Sequence, residues 1–391
     1  MEEKIGLNKR LVIITDTNLN DEATGMAQTL ANLFDNYPKG KLLFCTPQKC
    51  SGKFKNFKSL AYEVVWANKL IRKLFAGALK QYFKKISVSL VVKKILHFQP
   101  QIVIISNLDY KSCLITNALL EKQNILLCVY LMDYISKDSQ NEFDALYDPL
   151  IKKATKHIFI SKYMANFYTS EYPNIKNYTV IHNPVSENEI GVAPVINDDR
   201  GEINFAYAGS LWQMHFDALI LFAKALRVLQ KKGVNVKLTI YTASHFYKMH
   251  KQVFEELSIS YGGFFRYDKL KPRLKQHHAL LVASSFDEKF YGLSAYSVQT
   301  KVTDYLATGV PVISIGPAYA ACNKFINENN GGFVIKTDNE EEIVAQIESY
   351  LKTNYDCLFK RAGNGLRLIR EKYKKDIVQN KLYRFLAGEK N

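Results

Sequence analysis

A chain of 391 residues is too long for one hydrophobic core and suits two domains of ordinary size. Its 47% hydrophobic and 23% charged residues are those of a soluble globular protein, and its longest apolar run, Ile125 to Met132, is far short of the roughly 20 residues that cross a bilayer, which argues against a transmembrane protein. A net charge of +16 calls for an anionic partner: a lipid surface, a nucleic acid or a nucleotide.

The six cysteines form no CxxC pair and no metal-ligand spacing with histidine, so they read as reduced thiols of a cytosolic protein. The N-terminus runs directly into a strand, with too short an apolar stretch for a secretory signal. Leu11 to Ile14 is a continuous apolar run, the pattern of a strand buried on both faces of a parallel sheet. The loop after it holds Gly25 and leads into a helix with Ala27, Leu30, Ala31 and Phe34 on one face, a mononucleotide-type βα unit without a GxGxxG fingerprint. Gly25 either relieves crowding where helix meets strand or lies against a ligand.

Lys41 to Cys45 is a second strand. The segment Ser51 to Leu96 then carries eleven lysines and arginines against the single acid Glu63, a net ten of the sixteen positive charges. Trp66, Lys69, Arg72, Lys73, Phe75 and Lys80 lie in it, and a basic amphipathic helix with Trp and Phe on its apolar side is the signature of a segment lying in a membrane interface. Near an anionic leaflet each such charge contributes about 1 kcal/mol. The alternative is a core-packing helix whose lysines form a solvated face.

Strands Gln101 to Ser106 and Leu126 to Leu131 are each followed by an acid, Asp109 and Asp133. Ligands of open α/β sheets bind outside such strand ends, so both carboxylates are candidates for gripping a ligand's hydroxyls or moving a proton; helix capping is the plainer alternative. His157 to Ser161 is a further strand, with Ser161 placed to cap the next helix. Tyr178 to Val185 reads YTVIHNPV, in which Asn183 before Pro184 ends the strand in an extended turn. Ser186 to Arg200 is polar and acid-rich, as suits a linker. The second half opens with strand Ile203 to Ala208, the turn Gly209–Ser210 and a helix from about Asp217 to Gln230. Strands Lys237 to Tyr241 and Ala279 to Ser284 follow. Gly331 to Ile335 is another strand, and helices Glu340 to Leu351 and about Tyr373 to Leu386 close the chain.

The stretch Gln299 to Ile313, QTKVTDYLATGVPVI, reads as a helix running at once into a buried strand. Val302, Tyr305 and Leu306 form the apolar stripe, Gly309 supplies a positive-φ stop, and Pro311 precedes β-branched residues. Gln299 and Thr300 stand at the helix start with Lys301 in the first turn, read here as exposed and of little weight in folding. Cations are disfavoured at that end of the helix dipole, so either Lys301 faces a bound anion or it is an ordinary surface lysine.

TKVTDYLATGVPVI, YTVIHNPV and YAGSL (207–211) together resemble the GT-B fold glycosyltransferases, the large group of nucleotide-sugar-dependent (family 4/1-like) bacterial enzymes. The resemblance implies an α/β protein of two Rossmann-like domains facing across a cleft, with a C-terminal helix crossing back to the first. It implies an N-terminal acceptor domain over 1–185 plus 373–391, and a C-terminal donor domain over 186–372. It places Asp304 on the donor ribose, and Gly209, Ser210, Gln299, Thr300 and Lys301 around the diphosphate. Tyr267 falls where relatives hold the nucleobase, though an aromatic at a buried edge accounts for it as well. Two departures stand out. Tyr296 occupies the place of the first carboxylate of the usual pair. Trp212, Gln213, Met214 and His215 replace the Arg and Lys that clamp phosphates in many relatives. No histidine follows the second of the two acid-tipped strands, so Asp133 and Asp109 remain the acid–base candidates.

The expected function is transfer of a sugar from a nucleoside-diphosphate sugar to a polysaccharide or lipid-linked acceptor in cell-surface glycan synthesis. No metal and no cofactor beyond the donor substrate are expected. The expected location is the inner face of the cytoplasmic membrane, held peripherally by anionic lipid. Rival readings are a degenerate, non-catalytic partner-binding GT-B protein, a nucleotide-sugar epimerase of the same fold, and a nucleic-acid-binding protein. The last is disfavoured because the basic segment has Arg72 as its only arginine. The donor base and sugar, stereochemical outcome and oligomeric state leave no mark in the sequence.

Overall fold

The structure, a computed structural model, describes residues 8–20, 25–51, 54–62, 78–106, 108–135, 144–196 and 201–389, without the side chains of 78–85, 144, 267 and 268. The chain divides into two compact units, Met1–His182 with Gln379–Asn391, and Asn183–Val378.

The first unit is built on a seven-stranded sheet in the order β3-β2-β1-β4-β5-β6-β7. These are β1 (Leu11–Thr15), β2 (Leu42–Thr46), β3 (Lys58–Ala61), β4 (Ile102–Ser106), β5 (Leu126–Leu131), β6 (Lys156–Phe159) and β7 (Tyr178–Val180). Every pairing is parallel. LVIIT, LLFCT and IVIIS are buried along their whole length, because helices on both faces leave a parallel strand no solvated side. Ser161 caps the helix Lys162–Glu171 by accepting from Met164 N at 3.0 Å.

The second unit repeats the plan with six parallel strands in the order β10-β9-β8-β11-β12-β13. They are β8 (Ile203–Ala208), β9 (Val236–Tyr241), β10 (Ser260–Gly263), β11 (Ala279–Ala283), β12 (Val312–Ile315) and β13 (Phe333–Ile335). Phe205, Phe222, Leu226, Leu238, Leu281 and Ile347 pack the helices Gln213–Lys231 and Glu340–Leu351 against it. In both sheets the order reverses beside the first strand, at β1/β4 and at β8/β11. That is the topological switch point where doubly wound sheets open a crevice at the carboxyl ends of their strands.

Two expectations need correction. The basic stretch is not one helix: Lys58–Ala61 is the edge strand β3, and only Ala78–His97 is described as helical. That helix buries Val88, Val91, Val92 and Ile95, so its described apolar side faces the core of its own unit. Trp66, Lys69, Arg72, Lys73 and Phe75 lie outside the described residues, as does the side chain of Lys80. Nor is Ser186 to Arg200 a loose tether in its described part. Gly191 N donates to Ala307 O at 2.8 Å, Val195 N to Gly309 O at 2.7 Å, and Arg370 Nη2 to Val192 O at 2.9 Å.

The last helix, Lys375–Ala387, begins in the second unit and ends in the first. There Gln379 Nε2 donates to Asn32 O at 2.7 Å and to Asp35 Oδ1 at 2.8 Å, and Tyr383 OH donates to Leu33 O at 2.6 Å. Leu382, Phe385 and Leu386 are buried beside them. Among the described residues no helix is long and apolar enough to cross a membrane.

Candidate functional site

The second unit's switch point gathers most of the residues that the motifs single out. β8 ends at Ala208, and Gly209 follows with φ +139°, a conformation that side-chain-bearing residues rarely adopt. A Cβ there would stand 2.8 Å from Lys301 Nζ, so the glycine makes room for the lysine as well as for the turn. Gly209 N–H already donates to Tyr241 O at 3.0 Å; the residue contributes space more than a hydrogen bond.

Lys301 opens the short helix Lys301–Leu306, and its side chain runs back under this loop. Nζ donates to Tyr207 OH at 2.6 Å and lies 3.8 Å from the centre of the same ring. Tyr207 OH in turn donates to Ser210 O at 2.9 Å. Lys301 is therefore half-buried, not the exposed lysine its position in the sequence pattern suggests. Burial pushes its ammonium down to about 7, against the weaker opposing influence of the Cys322 thiol. No carboxylate among the described residues pairs with it. Burial of a cation without a counter-charge costs free energy, which a bound anion could offset.

Two further groups brace the site. His215, in the first turn of Gln213–Lys231, is buried with Nδ1 3.0 Å from Ala283 O. Burial first, and then the Lys301 charge, push it down to about 3, so it stands beside the lysine as a neutral ring. Gln299 Nε2 donates to the same carbonyl at 2.7 Å and to Ser284 Oγ at 3.3 Å. The carboxyl end of β11 is thereby tied to both flanking segments. Thr300 O accepts from Thr303 Oγ1 at 3.1 Å. Sequence reasoning noted His215 only as a departure; its buried place beside Lys301 depends on the fold.

Asp304 is one helical turn from Lys301. Its Oδ1 accepts from Asn183 Nδ2 at 3.2 Å, and Thr303 Oγ1 donates to Asn183 O at 3.1 Å, so the Asn-Pro-Val segment is strapped to this helix. Lys271 is near enough for Asp304 to raise its pKa, though burial, the larger influence, lowers it. Lys271 was missed because nothing in DKLKPRL separates it from the lysines around it. Tyr267 opens the helix Tyr267–Leu274, and its side chain lies outside the described residues. Nearby Phe265 stacks on the Arg273 guanidinium at 3.9 Å, while Phe264 is 52% exposed.

In the first unit, Asp109 caps the helix Tyr110–Lys122: Oδ2 accepts from Lys111 N at 3.1 Å and Oδ1 from Ser112 N at 2.9 Å. Asp133 lies half-buried just past the adjacent strand β5. Asp16, directly after β1, was passed over, although the rule that singled out Asp109 and Asp133 applies to it equally. Asp16 and Asp109 both sit close enough to raise the pKa of Tyr62, whose main cause is burial. Gly25 is exposed at the start of Gly25–Phe34, where its carbonyl accepts from Thr29 Oγ1 at 2.8 Å. Among the described residues no group of three or more His, Cys, Asp or Glu side chains is placed to hold a metal.

Two Rossmann-like units, each on a parallel sheet, with a last helix that runs from the second into the first, give this chain the GT-B fold. Residues 220–380 match the family model described as Glucosyltransferase 3-like, C-terminal domain. Among solved structures, Anabaena HepE in complex with UDP and glucose superposes at a TM-score of 0.73 with 14% identity, covering 97% of this chain and 100% of that one. Sucrose-phosphate synthase from Thermosynechococcus elongatus gives 0.69 and 13% over 97% and 100%. A trehalose-6-phosphate structure from E. coli bound with UDP-2-fluoro glucose gives 0.68 and 12% over 96% and 99%. No curated protein matches the chain in sequence.

Proposed function

We propose that this protein is a glycosyltransferase that takes a sugar from a nucleoside-diphosphate donor held in its second unit. The observation that carries the reading is Lys301: a desolvated ammonium without an acidic partner, under a glycine turn at the switch point. The structural relatives crystallised with UDP, UDP-glucose and UDP-2-fluoro glucose support it. Lys301 would neutralise the leaving diphosphate, which does the work of a metal ion, and Asp304 would take the ribose hydroxyls. Asp133 and Asp109, at the carboxyl ends of adjacent strands, would be the candidates to grip or deprotonate the acceptor, with Asp109 also serving as a helix cap. The acceptor would be a polysaccharide or lipid-linked glycan at the inner face of the cytoplasmic membrane, reached through anionic lipid.

Thermal unfolding against UDP, GDP, ADP and TDP, with and without EDTA, tests this. A ligand bound only by the folded state raises Tm by linkage. One nucleoside diphosphate should raise Tm equally in both conditions. The absence of any shift sinks the nucleotide reading, and a shift abolished by EDTA sinks metal independence. A second reading, a donor-binding protein without turnover, is favoured by Tyr296 in place of a carboxylate. It predicts binding without hydrolysis or transfer of the sugar.

A further inference from the structure

Tyr207 is fully buried in β8, and its hydroxyl sits between two partners of fixed chemistry. The one hydroxyl proton goes to Ser210 O at 2.9 Å, so toward Lys301 the oxygen can only accept. The ring face beneath Nζ at 3.8 Å adds a cation–π attraction. The missing side chain of Gly209 leaves Nζ its room, since a Cβ there would stand 2.8 Å away. The other titratable neighbours carry no compensating charge: burial holds His215 neutral, and burial raises the Cys322 thiol. Within the described residues, then, Tyr207 alone supplies electron density to this ammonium.

The geometry points to Tyr207 as a positioning residue: hydroxyl and ring together hold the Lys301 ammonium, charged and aimed beneath the Gly209 turn, before a diphosphate arrives. This rests on the nucleotide-sugar reading of the same site. In β-strand INFAYA the tyrosine otherwise looks like core. Its aromatic ring alone would serve packing; the hydroxyl is what a packing role does not require. Without that acceptor the buried amine sheds its proton more readily, and an incoming anion meets a neutral, mobile side chain.

The test is a double-mutant cycle read by titrating UDP calorimetrically into the parent protein, Y207F, K301M and Y207F/K301M. Y207F should weaken UDP about tenfold when Lys301 is present, as expected for losing one hydrogen bond to a charged group. In the K301M background the same change should have no effect, because the residue it acts through is gone. The loss of UDP affinity at high pH should also begin at lower pH in Y207F. Equal losses in both backgrounds, or none in either, overturn the proposal; the first would assign Tyr207 to holding the loop through Ser210. If the parent binds no nucleoside diphosphate, the donor reading has failed. The claim about Tyr207 is then judged on ligand-free protein with 13C-labelled lysine, where the Lys301 Cε signal is identified by its loss in K301M. Its titration midpoint should fall in Y207F, and an unchanged midpoint overturns the assignment.

Discussion

Lys301 makes two demands of opposite sign on the molecule. For folding it is a liability: its pKa falls from 10.5 in the unfolded chain to about 7 in the native one, so folding opposes the charge. Below pH 7 the native protein bears the whole penalty, and the penalty fades as pH rises from 7 towards 10.5. Replacing the lysine by the apolar Met should therefore raise the Tm of the ligand-free protein by roughly 2–4 °C for each kcal/mol recovered. That gain should be greatest near pH 6 and vanish towards pH 10 in melts run across the range. For binding the same residue is an asset, and Lys301→Met should weaken nucleoside diphosphates by about 1.5–3 kcal/mol. Asp304→Asn should weaken UDP and leave pyrophosphate unaffected, because it removes charge while keeping the oxygen that accepts from Asn183. Equal losses for both ligands in calorimetry would reduce Asp304 to a loop organiser. The motif's helix is present, with Lys301 opening it and Asp304 in its first turn. What the motif could not convey is depth: Lys301 is covered by a turn and gripped by a tyrosine 94 positions earlier, and no local pattern records that.

At the scale of elements, the helix after Thr300 is fastened to the backbone of the sheet by Tyr305. Tyr305 OH accepts from Ala208 N at 2.7 Å and donates to Ala208 O at 3.1 Å, behaving towards the end of β8 as another strand would. Tyr305→Phe strands both buried backbone groups and should cost about 1–3 kcal/mol, read as a lower urea midpoint with an unchanged slope. Gly309, with φ +80° and room for no Cβ beside Ala193 O at 2.7 Å, ends the same helix as its sequence position foretold. Gly309→Ala should destabilise by more than 1 kcal/mol on the same measure. Eleven of the thirteen strands among the described residues were legible as apolar or β-branched runs. The two that were not, KSLA of β3 and SYGG of β10, are the outermost strands on corresponding sides of their sheets, and neither has a fully buried residue. An edge strand covered on one side carries no continuous apolar signature. Side chains follow the same logic: Asp109 and Asp133 are visible in the sequence as acids at strand ends, while the places of His215 and Tyr207 beside Lys301 depend on β8 and β11 lying side by side.

Over the whole molecule the charge is unevenly spent, with ten of its sixteen net positive charges in Ser51 to Leu96. If that segment docks on lipid, the protein should sediment with anionic but not neutral vesicles, and salt should release it as the Debye length shrinks to about 3 Å at 1 M. Changing Lys69, Arg72, Lys73 and Lys80 to Gln should abolish sedimentation and spare UDP binding. Failure of the parent to sediment at low salt would leave the lysines to a soluble acidic partner.

The last helix has a bearing on how the protein comes into being. Gln379–Asn391 belongs to the first unit, yet the whole second unit, Asn183–Val378, is synthesised in between. At about 5–20 residues per second, the nascent first unit waits on the order of 10–40 s for the residues that satisfy Asn32 and Leu33. Until then it holds an uncovered apolar face while its neighbour is free to fold. Birth order on the ribosome therefore runs against domain order, and the second unit has the chance to become native first.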